Sequence, residues 1–145
     1  MDTDATGSST LASAECWGKL RSVQVGRIAF VNDRTGIEVF PINFLVDHGT
    51  IVFRTAAGTK LSGVTERPTV VVQADGCEPG DRRWWSVVVR GRAEPIGGRD
   101  DLLDAFDIEL DTWHGEPKPY FVRVVPTAVE GARGDSVDPS ARSPS

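Results

Sequence analysis

The sequence predicts a mostly β domain: an antiparallel barrel carrying a few short α-helices. Three observations lead there. About six segments are rich in β-branched or aromatic residues and bounded by Gly, Pro, Asn or Asp, as in residues 69–74 (TVVVQA) and 84–95 (WWSVVVRGRAEP). Only three short stretches carry helical periodicity, so there is no βαβαβ alternation of the kind that builds a doubly wound sheet. No self-similarity recurs at 20–50 residues, which sets repeat architectures aside. Closure into a barrel is the expected way for so many antiparallel strands to lose their edges.

The elements follow in order. Residues 1–10 (MDTDATGSST) and 134–145 (GDSVDPSARSPS) are small, polar and Pro/Ser/Gly-rich, and are expected as disordered tails around a domain at 11–133. Residues 11–22 read as a helix with Ser13 as cap and Cys16, Trp17, Leu20 and Val23 on one face. Residues 27–31 form a strand, 32–36 (NDRTG) a hairpin turn, and 37–46 the next strand. Pro41 lies inside that strand and cannot donate to a ladder, so an edge or bulge is expected there. Residues 50–55 pair back, and 59–67 open a helix that Pro68 stops. After the strand at 69–74, residues 75–82 read as a polar loop. Residues 84–95 form a long strand, 99–110 an amphipathic helix with Leu102, Leu103, Phe106 and Leu110 on one stripe, and 120–129 a last strand containing Pro126.

Composition narrows the function. The chain has 145 residues, 39% of them hydrophobic, enough for one domain with its own core and no need of disulfides or metals. With 16 Lys+Arg against 21 Asp+Glu the net charge is −5, which argues against nucleic-acid and membrane-surface binding. Cys16 and Cys77 show no CxxC or ligand spacing and read as reduced thiols. The N-terminal residues lack the pattern of a signal peptide, and no apolar run approaches the ~20 residues of a membrane span, so a soluble, cytoplasmic protein is expected. His48 and His114 have no partners at metal-ligand spacing, so no metal is expected, and no Gly-x-Ser-x-Gly elbow supports hydrolysis.

The chemistry-bearing segment is Pro41-Ile42-Asn43-Phe44, then Phe53-Arg54-Thr55, then Gly58-Thr59-Lys60-Leu61. An Arg at a strand end and a Lys six residues on, beside the backbone N–H groups of a helix start, make a candidate phosphate cradle. Arg engages phosphate oxygens with a planar fork and Lys acts as a mobile point charge.

The run Gly26-Arg27-Ile28-Ala29, Pro41-Ile42-Asn43-Phe44, Asp47-His48-Gly49, Ile51-Val52-Phe53-Arg54-Thr55, Gly58-Thr59-Lys60-Leu61, Trp85-Ser86-Val87-Val88-Val89-Arg90-Gly91-Arg92-Ala93 and Pro119-Tyr120-Phe121-Val122-Arg123-Val124-Val125-Pro126 closely resembles one family. It is the pyridoxamine 5′-phosphate oxidase-like flavin-binding split barrels, including the small actinobacterial flavin/deazaflavin reductases, and the resemblance spans about residues 12–133. It implies an FMN-binding split-barrel homodimer with cofactor sites at the interface, and hydride transfer to a small-molecule substrate through FMN or, alternatively, the deazaflavin coenzyme F-420. The resemblance makes Arg54, Thr59 and Lys60, with the neighbouring Phe53, Thr55 and Leu61, the phosphate-side contacts. Pro41, Ile42, Asn43 and Phe44 would lie along the ring, and Trp85 and Ser86 would come from the partner subunit. A non-catalytic flavin, deazaflavin or haem carrier or sensor is the alternative. The segment ending at Pro126 lacks the Arg/His-rich pattern that recognises pyridoxamine phosphate in the oxidases proper, so the substrate stays unassigned.

Overall fold

The computed structural model of the chain describes residues 8–55, 67–77, 80, 82–96 and 120–135. Seven strands and one helix follow within them: β1 (Ser9–Leu11), α1 (Ser13–Arg21), β2 (Val25–Asn32), β3 (Gly36–Asp47), β4 (Thr50–Thr55), β5 (Thr69–Cys77), β6 (Arg83–Ile96) and β7 (Tyr120–Asp135). The sheet order is β1-β7-β4-β3-β2-β5-β6, and β6 also pairs with β7. That last pairing closes β2 to β7 into a six-stranded antiparallel barrel, as the sequence predicts. The helices expected at 59–67 and 99–110 fall largely or wholly outside the described residues.

Alternation of side chains decides which face each strand presents to the interior. On β5, Val70, Val72 and Ala74 point inward while Val71, Gln73 and Asp75 point out. Ile28 and Phe30 of β2, Phe44 of β3, Phe53 of β4, Val87 and Val89 of β6, and Val122 and Val124 of β7 complete the buried interior. Each such side chain contributes about 1.5–3 kcal/mol by leaving water. The helix closes one end of this core with Cys16 and Leu20, both wholly buried.

Several boundaries differ from the sequence reading. β1 lies partly inside the stretch expected as a tail, because Ser9–Leu11 find backbone partners at Gly131–Arg133 of β7. β7 runs to Asp135 for the same reason, gaining β1 on one side and β6 on the other. Ala12, not Ser13, is the N-cap of α1, and Glu15 Oε1 accepts from the Ala12 N–H at 3.3 Å. β5 continues through Gly76 to Cys77, where a loop from Asp75 is expected. Pro41 stands opposite Arg27 in the unbroken β2–β3 ladder, beyond the four residues by which β3 pairs with β4. The register does break at Pro126: Arg90 faces Ala128 and Gly91 faces Pro126, leaving Thr127 as the extra residue of a bulge.

Candidate functional site

The outward face of β3 and β4 carries the polar residues singled out from the sequence. On β4, Ile51 and Phe53 fill the barrel, so Val52 and Arg54 must point away from it. Phe44 faces Phe53 in the β3–β4 register, and one step further puts Asn43 and Arg54 on neighbouring strands of the same outward face. Arg54 also faces Phe121 of β7, which faces Ile96 of β6. Val52 and Phe121 are buried there with Leu45 and Ile96 packed against them, forming a small second apolar cluster on the outside of the barrel. Arg54 sits at the margin of that cluster, with its Nη1 shut off from solvent. A partly buried cation beside apolar side chains and an amide is a fitting receptor for an anionic group attached to a flat ring.

Of the residues named from the sequence, Pro41 and Asn43 lie outward on β3, Arg54 outward on β4, and Ser86 outward on β6. Ile42, Phe44, Phe53 and Trp85 point into the core instead, so any ligand contact from them is through backbone. The strand places Thr55 opposite Tyr120. Thr59, Lys60 and Leu61 lie outside the described residues, as does His114. Within one chain, Ser86 is separated from Asn43 by β2 and β5, which at about 4.8 Å per strand is roughly 14 Å.

Two polar groups were not visible as such in the sequence. The first joins three strands: Arg27 Nη1 donates to Gln73 Oε1 at 3.0 Å and reaches Asp75 Oδ2 at 3.4 Å. Gln73 Nε2 in turn donates to Asp75 Oδ2 at 2.9 Å and to Ser86 Oγ at 3.1 Å. Its signal is the Gln73-x-Asp75 spacing, which continues the strand period into the segment expected as a loop. The second lies at the β3–β4 turn, where Arg123 Nη1 donates to Asp47 Oδ2 at 2.9 Å and to Thr50 Oγ1 at 2.6 Å. The His48 ring adds a contact from Nδ1 to Asp47 Oδ1 at 2.9 Å. The Arg123 hydrogen bond pulls the Asp47 carboxyl below its ordinary range, opposed by burial and helped by His48. No group of three or more His, Cys, Asp or Glu placed to hold a metal ion occurs among the described residues. Nor is any helix there long and apolar enough to cross a membrane.

Comparison with known proteins places this architecture. A crystal structure of a FAD-binding protein from Mesorhizobium loti superposes with a TM-score of 0.77 at 27% identity, covering 88% of this chain and 99% of that one. The FAD-binding protein from Mycobacterium smegmatis is 36% identical with a TM-score of 0.69, again over 88% of this chain and 99% of that one. An uncharacterized protein of Mycobacterium tuberculosis is 29% identical over 120 residues, 79% of this chain and 77% of its own length. The family model described as pyridoxamine 5′-phosphate oxidase matches residues 12–133, from α1 through nearly all of β7. The chain therefore belongs to the pyridoxamine 5′-phosphate oxidase family.

Proposed function

We propose that this chain binds a flavin nucleotide against the outward face of β3 and β4 and works as a homodimeric, cytoplasmic oxidoreductase on a small molecule. The observation that carries the reading is Arg54, a partly buried guanidinium facing outward beside Asn43 and the Val52–Phe121 cluster. Arg54 holds the phosphate with Thr59 and Lys60, while the Asn43 amide meets the polar edge of the ring. Leu45, half-buried against the Val52–Phe121 cluster, keeps water from the ring's apolar side. When bound, the flavin supplies the two-electron hydride chemistry, and the protein's part is to hold and orient it. FMN is the flavin implied by the resemblance; two similar structures are FAD-binding proteins, which makes FAD a second choice, with F-420 the deazaflavin alternative.

A second copy of the chain completes the site. Val31, Ile37 and Val39 lie exposed together on the outward face of β2 and β3, with Val25 further along β2, an apolar face that a second copy would cover. Ser86, about 14 Å from Asn43 within one chain, then reaches the ligand from the partner. Cys16 and Cys77 form no disulfide, in keeping with a reducing compartment.

Titration of the purified apo-protein with FMN, FAD and F-420, followed by tryptophan and cofactor fluorescence, tests this. One of them binds well below 100 μM, and the Arg54→Ala, Lys60→Ala variant weakens it at least tenfold, from roughly 1.5–3 kcal/mol per hydrogen bond to a charged group. Failure of all three to bind, or equal binding by the variant, overturns the reading. A bound flavin that a nicotinamide or reduced deazaflavin does not reduce makes the chain a carrier or sensor.

A further inference from the structure

Three positions of the Gln73 amide are occupied, both Nε2 hydrogens and one side of Oε1, and its orientation follows from chemistry. Its Oε1 meets the Arg27 guanidinium at 3.0 Å, and its Nε2 meets the Asp75 carboxylate at 2.9 Å. Turning the amide over would set donor against donor at Arg27 and acceptor against acceptor at Asp75. The second Nε2 hydrogen therefore goes to Ser86 Oγ, 3.1 Å away. Ser86 accepts in that bond, so its own hydroxyl hydrogen is not spent on Gln73, and Ser86 Oγ donates to no other described residue. The serine is half-buried on the outward face of β6, with its hydrogen available on that face.

We infer that Gln73 is a positioning residue that fixes the polarity of Ser86, making its hydroxyl a hydrogen-bond donor to an acceptor atom of the bound ligand, a carbonyl oxygen or an unprotonated ring nitrogen. This rests on the flavin reading above and adds what Ser86 does within it. Arg27 and Asp75 act through Gln73: the cation holds the amide oxygen, and the carboxylate holds the first amide hydrogen. A donor at such an atom strengthens as electron density builds on the ring, so it favours the reduced flavin over the oxidised one.

The test titrates the full-length protein and four variants with FMN and FAD, recording affinity, visible absorption spectrum, midpoint potential and thermal unfolding. Ser86→Ala removes the donor. Gln73→Glu keeps the shape but can only accept, so Ser86 turns its hydrogen inward and the donor is withdrawn without touching the serine. Each of the two weakens flavin binding roughly tenfold, shifts the flavin band and lowers the potential. The Ser86→Ala, Gln73→Glu double variant is no worse than either single one, the mark of two residues acting as a unit. Gln73→Leu removes the direction without adding a charge beside Asp75, and its binding falls between wild type and Ser86→Ala; it decides the matter if Gln73→Glu does not fold. Wild-type affinity and spectrum in Gln73→Leu, or additive losses in the double variant, overturn the role of Gln73. An unchanged spectrum and affinity in Ser86→Ala overturn the donor itself. Failure of the wild type to bind either flavin takes down the flavin reading and the inference with it, which separates the two failures.

Discussion

Asp47 is a residue whose ionisation is tied to the fold. Its two carboxylate oxygens face Arg123 and His48, and its backbone carbonyl accepts from Thr50 Oγ1 at 2.6 Å. A carboxyl whose folded value is depressed contributes stability above its unfolded value and loses it as pH falls through the folded one. Asp47→Asn removes that contribution. The difference in thermal midpoint between wild type and Asp47→Asn is widest near neutral pH and narrows as pH falls below the ordinary aspartate value of ~3.9. The other acidic groups are common to both proteins and cancel, so a gap constant from pH 7 to 2.5 refutes the assignment. Cys16 shows the opposite direction, since burial first and the charge of Glu15 second push its thiol up and leave it unreactive. At this scale the sequence was legible where one segment's pattern sufficed, as in setting Arg54 near the end of a strand. It was silent on Arg27, Gln73, Asp75 and Arg123, whose partners lie up to 76 positions away and meet only through sheet register.

The elements show where local signals mislead. Gly76 reads as punctuation, yet β5 passes through it, because the missing side chain makes room for a neighbour. A Cβ there would lie 2.6 Å from the Trp85 indole nitrogen. Gly91 makes the same kind of allowance at the bulge: a Cβ would fall 2.3 Å from the carbonyl oxygen of Val125. A backbone atom paired into a closed sheet yields far less readily than a side chain, so Gly91→Ala forces β6 and β7 apart. The expected cost is about 1–3 kcal/mol, read from denaturant unfolding with an unchanged m-value. Wild-type stability in that variant would mean the bulge accommodates the methyl group. Pro126 belongs to the same device, because a bulge is where a residue without an N–H is tolerated. The sequence identified Pro41 and Pro126 as special but not which would break the register. That depends on the partner strand: Gly91 stands across from Pro126, while Pro41 faces Arg27 in regular pairing.

For the molecule as a whole, strand alternation and turn residues sufficed to predict a closed antiparallel barrel, because the inward period-2 pattern is strong in β5 and β6. The strand order was not legible, since no local pattern records that β7 sits between β4 and β6, or that β1 extends the sheet along it. That order carries a consequence for biosynthesis. Among the described residues β7 is the last strand and the one on which β1, β4 and β6 all pair, with Ser9 meeting Arg133. A ribosome that has released residues up to 119 has exposed β2 to β6 without β7, the strand that pairs with both β4 and β6 to close the sheet. Closure must wait for β7, and with so many distant pairings it is slow once begun. Ribosome-arrested chains exposing residues 1–119 are therefore expected to be cut rapidly by added protease, whereas chains exposing all of β7 resist it. The interval between these two lengths is when the nascent protein most needs a chaperone.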